Sequence, residues 1–331
     1  GQYIKNFISM APPKHDQQRR AVTGVVSPRN LMALEPLIRQ HAADILDQLP
    51  DDGVTFDWVD AVSIELTTRM LATLFDFPFQ DRRKLTYWSD ISIGSPETTG
   101  MDEGPEPSDV LEGLNDMATT FMGLWAERAA SDPTGRNDLI TMLAHGETTK
   151  DMVERPLEFL GNIMLLIVGG NDTTRNSISG GVLGLNQFPE EYDKLRANRD
   201  LIPNMVSEIV RWQTPVLHMR RTLNRDLEFS GKSLKAGDKI VMWYISGNRD
   251  DSVHENPDRL IIDRANARHH VAFGFGVHRC MGNRLAEMQL RIIWEEIMNR
   301  FRWVEVVGEE TRLKSNFIRG IKALPVRVHR W

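Results

Sequence analysis

Phe273-Gly274-Phe275-Gly276-Val277-His278-Arg279-Cys280-Met281-Gly282 is the stretch on which the fold turns, and it holds the only cysteine of a 331-residue chain. Glycines at 274, 276 and 282 let the main chain take positive φ and let a large group approach it closely. From Asn283 to Arg300 the apolar residues Leu285, Ala286, Met288, Leu290, Ile292, Ile293 and Ile297 recur at helical spacing. The thiol therefore lies just ahead of a helix N-terminus, where the macrodipole and unpaired amides stabilise an anion. That placement predicts a thiol pKa below the ordinary value of about 8.5, favouring thiolate. A lone cysteine is most often a small buried hydrophobe, but this context argues for a reactive one.

A thiolate in a glycine-lined loop suits an axial ligand of haem iron, where sulfur pushes electron density toward O–O cleavage. Phe273, Gly276, His278, Cys280 and Gly282 resemble the haem-binding signature of the cytochrome P-450 superfamily, with Gly274 in the same loop. A rival is a zinc site built from His269, His270, His278 and Cys280. Those residues lack a Cys-x-x-Cys or His-x-x-x-His spacing, and zinc would leave the glycines without a purpose, so a zinc-stabilised helical binding module stands as a distant alternative.

Composition sets bounds around this motif. Apolar residues make up 41% and charged residues 26%, as in ordinary globular proteins, and the length allows one large or two ordinary domains. A single cysteine excludes a disulfide scaffold and suits a reducing compartment. Net charge is −6, giving no support to nucleic-acid binding. The longest uncharged apolar stretch, residues 159–171, is too short to span a bilayer. A soluble, cytoplasmic, bacterial protein without an integral membrane segment is the expectation.

Helical patterns dominate. Amphipathic stretches run from Pro28 and Asn30 to Leu49, from Trp58 to Phe75 and from Met117 to Ala130. Residues 91–109 are rich in Gly, Pro, Ser, Thr and acids and predict a long loop, read as a surface linker or as a lid over a channel. Short strands are expected at Leu227–Phe229 and Lys239–Ile245 and after Trp303. The fold class is mainly α with small β-sheets.

Residues 156–187 read as one long helix interrupted by Gly169-Gly170-Asn171-Asp172-Thr173-Thr174. Asp and Thr after glycine equally signal a helix N-cap. The alternative is a local opening, since glycine pairs kink helices and a threonine hydroxyl can engage a loosened carbonyl. Glu208 and Arg211, three apart on a predicted helix Asn204–Gln213, share a face.

The resemblance extends to these segments. It implies the P-450 fold, a triangular α-helical prism around haem b, formed by residues 1–331 as one domain. The chain opens on Gly1, and the N-terminal helices and most of the main sheet of that fold are expected to lie outside it. Asp172 and Thr173 would be the acid–alcohol pair that feeds and steers protons to O₂. Glu208 and Arg211, with Arg259 as third partner, would anchor the loop leading to Cys280. His15, Arg19, Arg221 and His278 would hold the haem propionates, Arg220 being the alternative to Arg221. Leu165, Val168, Gly169, Val216, Leu217, Met219 and Phe317 would line the substrate pocket. Arg264, Arg268, Arg279 and Arg284 would form a basic patch steering an acidic electron donor to the cysteine side.

Further stretches such as Ser-Glu-Ile-Val-Arg-Trp-Gln-Thr-Pro (207–215) and Gly-Asn-Arg-Leu-Ala-Glu (282–287) resemble the soluble bacterial subfamily that hydroxylates terminal carbons of medium-chain alkanes and fatty acids. That likeness implies a monooxygenase using O₂, an apolar small-molecule substrate, a ferredoxin and an NAD(P)H-dependent ferredoxin reductase. Terminal side-chain hydroxylation of sterols or branched lipids is the neighbouring alternative.

Overall fold

A computed structural model describes residues 5–93 and 105–331. The fold is organised on one long helix. Helices α1 (Lys14–Thr23), α2 (Pro28–Asp47), α3 (Glu65–Phe75), α4 (Arg83–Ile93), α5 (Pro107–Ala129) and α6 (Leu139–His145) precede α7, Pro156–Gln187. Helices α8 (Pro189–Ala197), α9 (Ile202–Gln213), the short α10 (Tyr244–Gly247) and α11 (Asn283–Arg300) follow. From Asn171 to Leu185 almost every residue of α7 is buried, as befits a helix surrounded by others; α3, α4, α9 and α11 all pack on it.

The sequence patterns translate into these elements for local reasons. Ser27 caps α2 by accepting from the Asn30 amide, with Pro28 at the first helical position. The stretch from Trp58 to Phe75 folds as a π-helical turn, Val59–Ile64, running into α3. Helix α5 starts ten residues ahead of the expected Met117. In α11 the stripe Leu285, Gln289, Leu290, Ile292, Ile293 and Ile297 is buried. Its outer face is tied to α2 by Arg39 to Glu295 at 2.6 Å and Arg291 to Glu35 at 2.7 Å.

Strands are short and antiparallel. Strand β1 (Phe56–Asp57) pairs with β9 (Pro325–Arg330), which pairs with β6 (Phe301–Val306). Two-stranded sheets join β2 (His218–Thr222) to β5 (Lys239–Trp243), β3 (Leu227–Phe229) to β4 (Lys232–Leu234), and β7 (Thr311–Arg312) to β8 (Ile321–Ala323). The expected strand 239–245 stops at Trp243, and its last residues turn into α10. Of the expected 91–109 loop, residues 91–93 belong to α4 and 107–109 to α5, while 94–104 lie outside the described residues. One hydrophobic core runs from Phe7 through Trp88, Ile178 and Trp294 to Val328.

Candidate functional site: a cysteine loop facing a cluster of cations

Cys280 sits two residues before Gly282, the N-cap of α11, and its own amide donates to the Phe273 carbonyl at 2.8 Å. That bond folds the loop back on itself. Gly274, at φ +68°, is needed for the bend, and a Cβ there would stand 3.0 Å from the Tyr244 hydroxyl. Cys280 is exposed as a residue, although the surrounding protein crowds its thiol enough to shift its titration. Burial raises its pKa above the ordinary value, against the Gly282 amide and the guanidiniums of Arg19 and Arg279, which lower it. The expected lowering is thus not achieved by the protein alone. Desolvation outweighs the helix start.

Four basic side chains gather beside this loop. His15 on α1 is 1% exposed, and its ring meets that of His278 edge-on at 4.3 Å. Arg19, one turn on, donates from Nη2 to the Arg279 carbonyl at 2.6 Å. Burial, then His15, Arg221 and Arg19, lower the pKa of His278, so the other three basic groups all act on that ring. The alternation of β2 separates the two candidate arginines: Arg221 is half-buried and acts on His278 and Tyr244, while Arg220 is exposed. Arg221 lies within β2.

The polar atoms of this cluster are only partly matched. His15 Nε2 and His278 Nδ1 are buried without a partner, and Arg19 and Arg221 find only backbone carbonyls, Arg221 Nη1 reaching the Arg220 oxygen at 2.9 Å. Asp16 offers one carboxylate oxygen to His15 Nδ1 at 2.7 Å. Orphaned donors grouped near an exposed cysteine fit a large group carrying carboxylates at one edge, which is the shape of haem. The histidines of the zinc reading scatter instead: His269 is exposed and His270 packs on Phe273 at 5.3 Å. No group of three or more metal-ligating side chains occurs among the described residues.

Glu208 and Arg211 are fully buried and joined in two bonds, Nε to Oε2 at 2.7 Å and Nη2 to Oε1 at 2.8 Å. The remaining Arg211 donors take the carbonyls of Asn248, Pro257 and Arg259. The expected third partner is corrected. Arg259 lends only its carbonyl, and its half-exposed side chain pairs with Glu190 over the Phe188 ring. Arg264, 6% exposed, fills the place, with Nε 3.0 and 3.1 Å from the two Glu208 oxygens. The turn after Leu260 brings both the Ile261 amide and the Arg264 side chain onto Glu208. Arg264 therefore leaves the basic patch, where Arg268, Arg279 and Arg284 are exposed around the half-buried Glu287.

On α7 the glycine pair does not break the helix. Gly169 has nothing within 4 Å of a built Cβ and opens outward, whereas a Cβ on Gly170 would meet Leu71 of α3 at 2.8 Å. The pair is thus one opening and one packing contact. Thr173 donates its hydroxyl to the Gly169 carbonyl at 2.9 Å, the same i−4 back-bond that Thr67, Thr68 and Thr73 make, in a helix that stays continuous. With both residues in mid-helix, the N-cap alternative falls.

Asp172 turns the other way, into the core. Ser89 of α4 donates to its Oδ2, and Arg175 stands 2.5 Å from Oδ1 as an ion pair without hydrogen-bond alignment. Arg175 also binds Asp90 at 2.6 Å. Burial pushes the Asp172 carboxyl up to about 6, with Arg175 and Ser89 pulling against it. Ser89, Asp90 and Arg175 had no mark in the sequence: the α4 residues stand more than eighty positions from their partners on α7.

The pocket residues Leu165, Val168, Val216, Leu217, Met219 and Phe317 are all partly exposed rather than core, and Gly169 is exposed. Leu217 donates its amide to the Phe317 carbonyl at 2.9 Å, and Val216 bridges Ile318, so these two segments form one wall. His218 joins that wall, edge-on to Trp243 at 4.6 Å and Phe317 at 5.7 Å.

Residues 123–327 match the family model of cytochrome P450. Linalool 8-monooxygenase of Pseudomonas putida is 38% identical over 97% of this chain and 77% of that protein. The methyl-branched lipid omega-hydroxylase of Mycobacterium tuberculosis is 32% identical over 98% of this chain and 75% of its own length. Among solved structures, a cytochrome P450-153 from Novosphingobium aromaticivorans is 45% identical, covering 98% of this chain and 77% of that one, with a TM-score of 0.87. No helix among the described residues is long and apolar enough to cross a membrane. The chain belongs to the cytochrome P450 family, as a monooxygenase whose cofactor is haem b.

Proposed function

We propose that the chain hydroxylates the terminal carbon of a medium-chain alkane or fatty acid, with Cys280, its only cysteine, as the thiolate on haem iron. The observation that carries terminal attack is the agreement among relatives. Their names place the oxygen at carbon 8 of linalool, at the omega carbon of a methyl-branched lipid and at C26 of a steroid. When bound, the haem activates O₂ and delivers one oxygen atom to a C–H bond.

The chain's own residues then have separable tasks. His15, Arg19, Arg221 and His278 take the propionates, and the Glu208–Arg211–Arg264 cluster fixes the segment from which the cysteine loop departs. The partly exposed Val216, Leu217, Met219 and Phe317, with Leu165 and Val168 on α7, are proposed as the apolar lining that meets the substrate. Such a lining selects by shape: a methyl C–H is stronger than its methylene neighbours, so terminal attack requires that only the chain end reach the reacting centre. Thr173 holds a hydroxyl at the opening. Asp172, with its pKa near 6, is a proton source that Ser89 and Arg175 hold turned inward.

Electrons are proposed to come from a ferredoxin served by an NAD(P)H-dependent reductase. Arg268, Arg279 and Arg284 supply the charge that steers an acidic donor, and Phe275 and Val277, 89% and 56% exposed beside Cys280, supply apolar contact. A second reading, oxidation of the chain end of a branched or sterol substrate, has the lipid and steroid relatives in its favour.

Product analysis with alkanes, fatty acids, branched lipids and sterols decides between them. Primary alcohols from unbranched substrates are expected; turnover confined to branched or sterol substrates selects the second reading, and in-chain products overturn both. For the proton path, Thr173→Ala should raise peroxide release per O₂ consumed with haem still bound, and unchanged coupling would remove Thr173 from it.

A further inference from the structure

We infer that Glu158, Gln18 and Asn162 form a positioning device that sets His15 and Arg19 of α1 against the cysteine loop. On α1, Lys14 and Gln18 lie one turn apart, and His15 and Arg19 occupy the neighbouring stripe. The first stripe is fastened to the opening turns of α7. Lys14 Nζ stands 2.6 Å from Glu158 Oε2, and Gln18 Nε2 donates to Glu158 Oε1 at 2.6 Å. Asn162, one turn further along α7, donates from Nδ2 to Gln18 Oε1 at 3.1 Å and accepts the Phe7 amide at 2.9 Å. Arg155 closes the far side, its Nε 3.2 Å from Glu158 Oε1. Gln18, Glu158 and Asn162 are 2%, 5% and 1% exposed, so this run of bonds is out of water.

Apolar residues could join two helices without the desolvation cost of burying polar groups. What the polar set adds is direction, because each amide has one donor end and one acceptor end and both are matched. Turning α1 by one residue, about 100°, would break every bond. The same turn would carry His15 off His278 and Arg19 off the Arg279 carbonyl, contacts they hold at 4.3 and 2.6 Å.

The seat also needs an anchor. His15 packs on the His278 ring and Arg19 reaches the Arg279 carbonyl, and both contacts depend on where α1 sits. Glu158 is the carboxylate that holds α1 in place. Burial raises its pKa, but the bonds from Lys14, Gln18 and Arg155 outweigh that and keep it below the ordinary range.

The inference rests on the reading of His15 and Arg19 as propionate partners, and its test separates the two. The rate of haem transfer from the loaded protein to apomyoglobin is measured for wild type, Glu158→Ala, Glu158→Gln, Gln18→Leu, the pair His15→Ala/Arg19→Ala, and that pair combined with Glu158→Ala. Far-UV circular dichroism of each variant checks folding. Glu158→Ala should speed haem loss about tenfold, as should Gln18→Leu, which keeps volume but loses direction. Glu158→Gln keeps an acceptor for the Gln18 amide but loses the charge that Lys14 and Arg155 pair with, and should fall between wild type and Glu158→Ala. Adding Glu158→Ala to the His15/Arg19 pair should change little, since Glu158 acts through them.

A multiplied effect in that combination would overturn the inference by making Glu158 merely structural. Haem loss at the wild-type rate from folded Glu158→Ala or Gln18→Leu would overturn it as well. If the His15/Arg19 pair itself retains haem normally, the reading of those two residues falls and takes the inference with it.

Discussion

Two clusters of charge in this chain end differently. Around Arg211 each donor finds an acceptor within 2.9 Å: both Glu208 oxygens and the carbonyls of Asn248, Pro257 and Arg259, all within the chain. Around His278 four basic groups meet, and two ring nitrogens stay buried without partners. The first cluster is closed and serves structure. The second is open, with Asp16 alone among the described residues offering it a carboxylate. Asp172 lies between these extremes: it is buried and partnered, yet its pKa is pushed up to about 6.

Breaking the closed cluster should have the largest effect. Arg211→Ala leaves the buried Glu208 with Arg264 as its remaining cationic partner and takes its donors away from the Asn248, Pro257 and Arg259 carbonyls. It should cost about 3–5 kcal/mol in chemical denaturation, enough to abolish folding in a marginal protein. A sharper probe compares the two arginines that follow. Arg264→Ala, removing a nearly buried partner of Glu208, should cost about 2–3 kcal/mol, whereas Arg259→Ala, at a half-exposed pair, should cost under about 1 kcal/mol. Equal losses would undo the correction that exchanges the two.

The open cluster should answer in cofactor retention rather than fold stability. Arg221→Ala should accelerate haem loss about tenfold, while Arg220→Ala on the opposite face of β2 should stay within about twofold. A reversed order would move the propionate contact by one residue.

The intermediate case should answer to pH. A carboxyl raised from 3.8 to about 6 on folding favours the protonated native state, so its contribution is present below about pH 4 and lost as pH rises through 6. Plotted against pH, the denaturation midpoint should fall across that window in wild type. Asp172→Asn should flatten that component, and an unchanged slope would show that Asp172 is not the group titrating.

How much of this was legible in the sequence depended on the range of each interaction. The 156–187 helix, the Asn283–Arg300 helix and the glycine loop follow from spacing within one segment, and the structure reproduces those bounds. Arg264 was hidden because Arg259 stands five residues away with the same chemistry, and only the turn after Leu260 decides which reaches Glu208. The Ser89–Asp172 and Asp90–Arg175 contacts join helices far apart in the chain, which no local pattern encodes. Gly169-Gly170 read as a kink because a glycine pair looks the same whether it bends a helix or admits a neighbour; Leu71 against Gly170 shows the second use. The thiol pKa was misjudged for a related reason, since a helix start is visible in sequence and desolvation is not.

The absorption spectrum of the reduced, haem-loaded protein under carbon monoxide tests the central claim, that Cys280 is the thiolate on iron. A strongly red-shifted Soret band that Cys280→Ser abolishes is the predicted result. An ordinary histidine-type band in the folded wild type, or a red-shifted band that survives Cys280→Ser, would contradict it.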